Sequence, residues 1–312
     1  MSRRSQRRLY PVDGILLLDK CLGISSNRAL QQVKHLFNAR KAGHTGSLDP
    51  LASGLLPLCF GEATKLSQYL LDSDKRYLTT FKLGETTTTG DGEGDVISQK
   101  TVNISNQQLE AVLNKYRGVI EQVPPMYSAL KKNGQSLYKL ARKGIEVERM
   151  PRSVEIFDLS LLAFDAESLT LDVHCSKGFY IRSLAFDIGE VLGCGAHVTE
   201  LRRTAAGKFD VSDAIKLEQL EEMDDQRRLQ QLLPVDAGID DMPRVSLVQD
   251  AYHFFRQGQM VRADDAPQAG LVRVYSENGC FTGIGEAMED KQIKPKRLLS
   301  TNSCLEKLTN NS

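Results

Sequence analysis

The chain has 312 residues, with 41% apolar side chains, 6% aromatics and no tryptophan. That is enough for one large domain or a large one with a smaller companion. Forty basic residues balance forty acidic ones, so net charge alone excludes a uniformly polycationic protein. The distribution along the chain is less even. Residues 1–44 carry nine Lys/Arg against two acids, 128–153 carry seven against two, and 210–242 carry ten acids against three bases. A polyanion responds to the face it meets rather than to the sum, so the basic segments keep nucleic acid open as a partner. No C-x-x-C pair occurs among the six cysteines, which read as thiols in a reducing compartment. Without a membrane-length apolar run or a secretory leader, the sequence reads as a soluble, cytoplasmic protein.

In chain order, the apolar run GILLLDK (14–20) predicts a buried strand, and SSNRALQQVKHLF (25–37) an amphipathic helix capped by Ser25 or Ser26. Residues 45–60 read as loop, broken by Gly46, Pro50, Gly54 and Pro57. A short helix is expected over 62–71 and a strand over 76–84, followed by a turn-rich loop at 86–95 and a capped helix at 105–118. Residues 122–144 start extended at Pro124-Pro125 and end in a basic helical turn. A strand pair follows, then a helix over 180–193, then strand again over 197–210. Residues 217–233 read as one acidic helix, and a small all-β unit is expected from about residue 245, with an ENG hairpin turn. Helices and strands mix without a βαβ beat, which points to α+β rather than a doubly wound sheet.

The motif search is mostly subtractive. The five histidines show no metal-ligand spacing, and DGEGD (91–95) lacks the later positions of a calcium loop. Phosphate-loop, dinucleotide and G-x-S-x-G patterns are absent. What remains is Asp49, a solitary acid between Leu48 and Pro50 in a bent apolar loop. Such a residue is usually a turn former. If it is buried and reactive, it needs a cation to stay ionised. Arg182, at the opening of a helix after Gly178, is the candidate.

Several blocks then align with one family: AGHTGSLDPLASGLLPLCFGEATK, KRYLTTFKLGETTTTGDGEG, QVPPMYSALKKNGQSLYKLARKG, CSKGFYIRSLAFDIGEVLGCGAHVTELRRT and GLVRVYSENGCFTGIGE. In content and order they resemble the TruB family of bacterial tRNA pseudouridine-55 synthases. The resemblance implies a mixed, mainly antiparallel sheet flanked by helices over 1–244, with a tRNA-binding insert near 122–150. It implies a small PUA-like β domain over 245–312. It implies isomerisation of the T-loop uridine of tRNA to pseudouridine, without metal or organic cofactor, by a monomer that needs no protein partner and no membrane. Asp49 becomes the catalytic carboxylate, Arg182 its cation, and Tyr77 the ring under a flipped uracil. His44 would fill the vacated space, and Tyr180 and Leu201 would line the pocket. Lys20, Lys65, Lys131 and Arg142 fit phosphate or loop contacts. Three positions depart from the family pattern: Cys21 for proline, Ser47 for threonine, and Phe179 for a small hydroxyl residue. A second reading, an RNA-binding module or folding chaperone without essential catalysis, needs only the basic segments and the terminal β unit.

Overall fold

The computed structural model describes residues 9–165 and 167–300. The basic run at residues 1–8 and Cys304 lie outside them. The first strand, β1 (Gly14–Lys20), follows directly from its apolar run. Ser25 caps α1 (Ser26–Leu36) by accepting from Arg28 N–H, and the apolar stripe of α1 buries Ala29, Leu30 and Val33. A three-residue strand, β2 (Ala42–His44), leads into the loop that carries Asp49.

The expected loop at 45–60 is corrected here: residues Ala52–Phe60 form a strand, β3, despite Gly54 and Pro57. It pairs with β1 from Gly54 to Phe60. On its other side its partners change, as the long strand Ala196–Ala206 takes residues 52–54 and β2 takes 58–60. Pro57 falls in the gap between them, where a missing N–H costs nothing.

A 3₁₀ turn over 61–65 leads to α2 (Ser67–Leu71), then β4 (Lys75–Leu83), β5 (Glu85–Thr87) and β6 (Val96–Gln99). Helix α3 (Asn106–Leu113) opens with a capping box between Ser105 and Gln108 and is followed by β7 (Gly118–Gln122). Next come a small hairpin, β8 (Lys131–Lys132) and β9 (Gln135–Ser136), and α4 (Leu137–Ala141). The strand pair β10 (Arg152–Phe164) and β11 (Ser168–Cys175) is antiparallel as expected. Helix α5 (Ile181–Leu192) stops at Gly193, which takes the left-handed conformation. The long strand β12 (Ala196–Ala206) and short strands β13 (Phe209–Asp210) and β14 (Ile215–Lys216) complete the main sheet.

The acidic stretch is not one helix. It breaks at Met223 into α6 (Leu217–Glu222) and α7 (Asp225–Gln230), because Asp224 caps a new start. The terminal unit is not all-β either. Between β15 (Arg244–Leu247) and β16 (Val261–Arg262) lies α8 (Gln249–Arg256), which seats Phe255 in the core beside β17 (Gly270–Ser276), β18 (Phe281–Met288) and β19 (Gln292–Leu298).

The main sheet runs β14-β1-β3-β12-β4-β11-β10-β7, mostly antiparallel, and the second sheet runs β15-β17-β18-β19-β16. One face of the main sheet carries two cores. α1 and α6 cover β1 and β3, while α3 and α5 cover β4, β10 and β11. Tyr77 and Leu201 touch both cores from the strip between them. That strip holds the site.

Candidate active site

The segment between β2 and β3 is held at four of its carbonyls, those of Gly46, Leu48, Asp49 and Pro50. Ser26, the first residue of α1, accepts from Leu48 N–H (2.7 Å) and donates to Leu48 O (2.9 Å). Ala52 N–H closes on Asp49 O, and Gly23 N–H on Pro50 O. Gly46 turns the chain at φ +85°, where a side chain would be strained. Asp49 is thereby fixed in place rather than left on a mobile loop.

Its carboxylate meets Arg182 Nη2 at 2.7 Å. The Arg182 side chain is 8% exposed and that of Asp49 41%, so the cation is buried while the acid keeps a solvent-accessible side. Helix α5 starts at Ile181, and Tyr180 at its cap is locked from both sides by the Gln122 amide. Arg182 also donates to Tyr127 O (2.6 Å) and Thr89 O (3.3 Å) and lies 3.7 Å from the buried Asp91 carboxylate. One guanidinium therefore serves two acids, of which only Asp49 reaches open space. Burial pushes the Asp49 carboxyl above its ordinary 3.8, the Arg182 charge pulls it down, and Asp91 pushes it up again. A cleft of about 620 Å³ adjoins the next two residues of the loop, Pro50 and Leu51, and is lined also by Glu93, Leu201, Leu78 and Glu200; Asp49 itself is not part of its lining.

Tyr77 and Leu201 lie on neighbouring strands of the central strip, with the Tyr77 hydroxyl raised by burial. His44, at the end of β2, is held below its usual range by burial and then by the charge of Arg203, and its Nδ1 is buried without a partner. Lys20 is 1% exposed and spends its ammonium on Cys21 O and Ile24 O, so its contact is with the loop and not with solvent. Lys65 sits apart from this group. It pairs with Glu62 and donates to Leu298 O, the end of β19. Lys131 and Arg142 are exposed on the β8–β9 hairpin and just past α4, away from the carboxylate.

Three family profiles tile the chain: "TruB family pseudouridylate synthase (N terminal domain)" over 34–181, "tRNA pseudouridylate synthase B C-terminal domain" over 182–240, and "Pseudouridine synthase II TruB, C-terminal" over 243–299. The protein named tRNA pseudouridine synthase B from Stutzerimonas stutzeri (strain A1501) is 57% identical over 292 residues, covering 92% of this chain and 96% of its own. The chain belongs to the TruB family of pseudouridine synthases.

A second TruB relative, tRNA pseudouridine synthase B of Pseudomonas aeruginosa (strain UCBPP-PA14), is 55% identical over the same coverage. Among solved structures, a chain of a Cbf5-Nop10-Gar1 complex matches at TM-score 0.70 and 23% identity, covering 97% of this chain and 92% of its own. The archaeal box H/ACA sRNP Nop10-Cbf5 complex matches at 0.67 and 21%, covering 94% and 93%. At those identities the likeness is one of fold. Against the TruB pattern, Phe179 is settled by its position. It is buried in the core under α5 and is not turned into the pocket. Asp91 escaped the sequence reading because DGEGD was weighed only as a calcium loop. Here its carboxylate is engaged by Arg182, Thr89 Oγ1 and Glu93 N–H. The β8–β9 hairpin escaped too, although Asn133-Gly134 at positive φ is the strongest short hairpin signal there is.

Proposed function

We propose that this protein converts the T-loop uridine at position 55 of tRNA to pseudouridine, with Asp49 as the catalytic carboxylate. The observation that carries the reading is the 2.7 Å pair between a partly exposed Asp49 and a buried Arg182. A guanidinium held by two backbone carbonyls keeps the acid ionised without covering it. Attack on the sugar carbon, addition to the base ring, and removal of a ribose proton all require that ionised form. The target base leaves its stack, which costs a few kcal/mol, and an aromatic platform returns about 1–3 kcal/mol. Tyr77 is that platform, Tyr180 and Leu201 line the pocket, and His44 takes the place of the extruded base. Lys131 and Arg142 meet the tRNA backbone from the hairpin and α4. The catalytic unit is residues 1–244 and the PUA-like unit 245–312, and the enzyme works as a cytoplasmic monomer. A module that only binds RNA gains nothing from the buried Arg182–Asp49 pair, so catalysis is favoured over the chaperone reading.

The test is Asp49→Asn with an unmodified tRNA transcript. Pseudouridine, mapped position by position, disappears while tRNA affinity stays within about threefold, because the amide keeps shape and loses only charge. Near-normal turnover by this variant would remove the mechanism.

A further inference from the structure

Register places four side-chain positions in one row across the floor of the site. Lys20 opposes Gly54, Gly54 opposes Arg203, and Arg203 opposes Tyr77. Residues directly opposite one another face the same side of a sheet, so the row points at the catalytic loop. Arg203 is 1% exposed and heads the fully buried side chains by size. Among the described residues no carboxylate comes within 4.0 Å of it. Burying a cation without a counter-ion is expensive, so its hydrogen bonds must offset that cost. Nε donates to Leu55 O at 2.7 Å, and Nη2 donates to Gly46 O at 3.1 Å. Tyr77 stands directly opposite Arg203 in the sheet register, on the same face, and the guanidinium charge offsets part of the burial that raises its hydroxyl. The close fit extends to the glycines. Any Cβ on Gly54, at φ +98°, would overlap the Arg203 backbone, and one on Gly46 would press its Nη1 at 3.3 Å.

We propose that Arg203 is the positioning residue of the reaction: its buried fork ties the Gly46 carbonyl of the catalytic loop to the Leu55 carbonyl of β3, beside Tyr77 in the sheet register, fixing acid and stacking ring relative to each other. It never touches substrate. Nε and Nη2 of one planar donor set reach Leu55 O and Gly46 O at once, which a lysine head does not reproduce. The charge has a second effect. His44, Tyr77, Lys20 and Lys75 all feel it; burial and then this charge hold His44 below its usual range and push Lys75 down to about 8.

The inference rests on Asp49 and Tyr77 forming the site, and the test separates the two ideas. Arg203→Lys keeps the charge and loses the fork. With an unmodified tRNA transcript its single-turnover rate falls about 10–100-fold at saturating enzyme, the scale of a 1 Å misplacement. Its tRNA affinity stays within about threefold, and the His44 titration midpoint, read from the imidazole proton by NMR, does not move. Arg203→Met loses the charge as well, and the His44 midpoint rises. A wild-type rate in Arg203→Lys, or a loss matched by weaker tRNA binding, overturns the proposal. So does an unmoved His44 midpoint in a folded Arg203→Met. If Arg203→Met does not fold, the rate-against-affinity split of Arg203→Lys decides alone. The His44 readout needs no turnover, so it stands even if Asp49 is not the catalytic acid.

Discussion

At the scale of single residues, the site turns on how Asp49 keeps its charge. Burial raises its folded pKa above 3.8, against the pull of Arg182. The active form is the ionised one, so activity is lost as pH falls through that raised value. The acid limb of the pH–rate profile therefore lies above pH 3.8, the ordinary aspartate value. Arg182→Lys replaces a two-sided donor by a point charge that cannot hold Asp49, Tyr127 O and Thr89 O together. Turnover should drop about 100- to 1000-fold, the range for removing one preorganised electrostatic donor. The acid limb should move to higher pH. An unchanged limb in this variant would mean that another group sets it. Asp49 and Arg182 were legible because each stood in a constrained spot whose chemistry called for the other. Asp91 and Arg203 were not. One was hidden in a turn-rich run and the other read as one more residue of a strand. Nothing in sequence spacing says that a buried guanidinium at 203 reaches the carbonyl of residue 46.

At the scale of elements, the strands and helices with clean periodicity were readable: β1, α1, β4, α3, the β10–β11 pair and α5. The failures share a cause. β3 was lost because Gly54 and Pro57 are local breakers, and their tolerance depends on partners remote in sequence. Pro57 lies where β3 changes neighbours, and Gly54 is needed beneath the Arg203 backbone. Gly54→Ala makes a direct test. It combines a positive φ with overlap against backbone that has no rotamer to yield. The expected loss is more than about 3 kcal/mol in denaturant unfolding. A variant as stable as wild type would mean that β3 and β12 can part without cost. The missed α8 is a milder case. A helix of eight residues inside a β-rich stretch gives too few turns to show a period, and Phe255 fixes it through tertiary packing.

At the scale of the whole molecule, the two sheets are joined through the segment after α7. Tyr275 donates to Asp236, Arg273 lies 3.5 Å from the same carboxylate, and Arg244 stacks 4.2 Å over the Tyr275 ring. Leu66, Ile239 and Ile284 form a small shared core nearby, and Lys65 reaches Leu298 O. Asp236 and Arg273 are each 15% exposed, so removing the acid leaves a poorly solvated cation. Asp236→Ala should cost about 3–5 kcal/mol and split thermal unfolding into two calorimetric transitions. One sharp transition at the wild-type temperature would show that the join rests elsewhere. Among the described residues no helix is long and apolar enough to cross a membrane. Cys21, Cys59, Cys175 and Cys194 are free thiols. The overall charge balance says little about RNA, because the bases that matter are local.

The Tyr127 carbonyl that steadies Arg182 belongs to the strand of backbone feeding the β8–β9 hairpin, and α4 is stitched back onto Ser128 and Leu130. Under the proposed docking there, cargo leaning on that hairpin pulls on the same tether that grips the acid. Docking and bond-breaking share one mechanical train, so an idle enzyme and a loaded one need not hold their carboxylate with equal firmness.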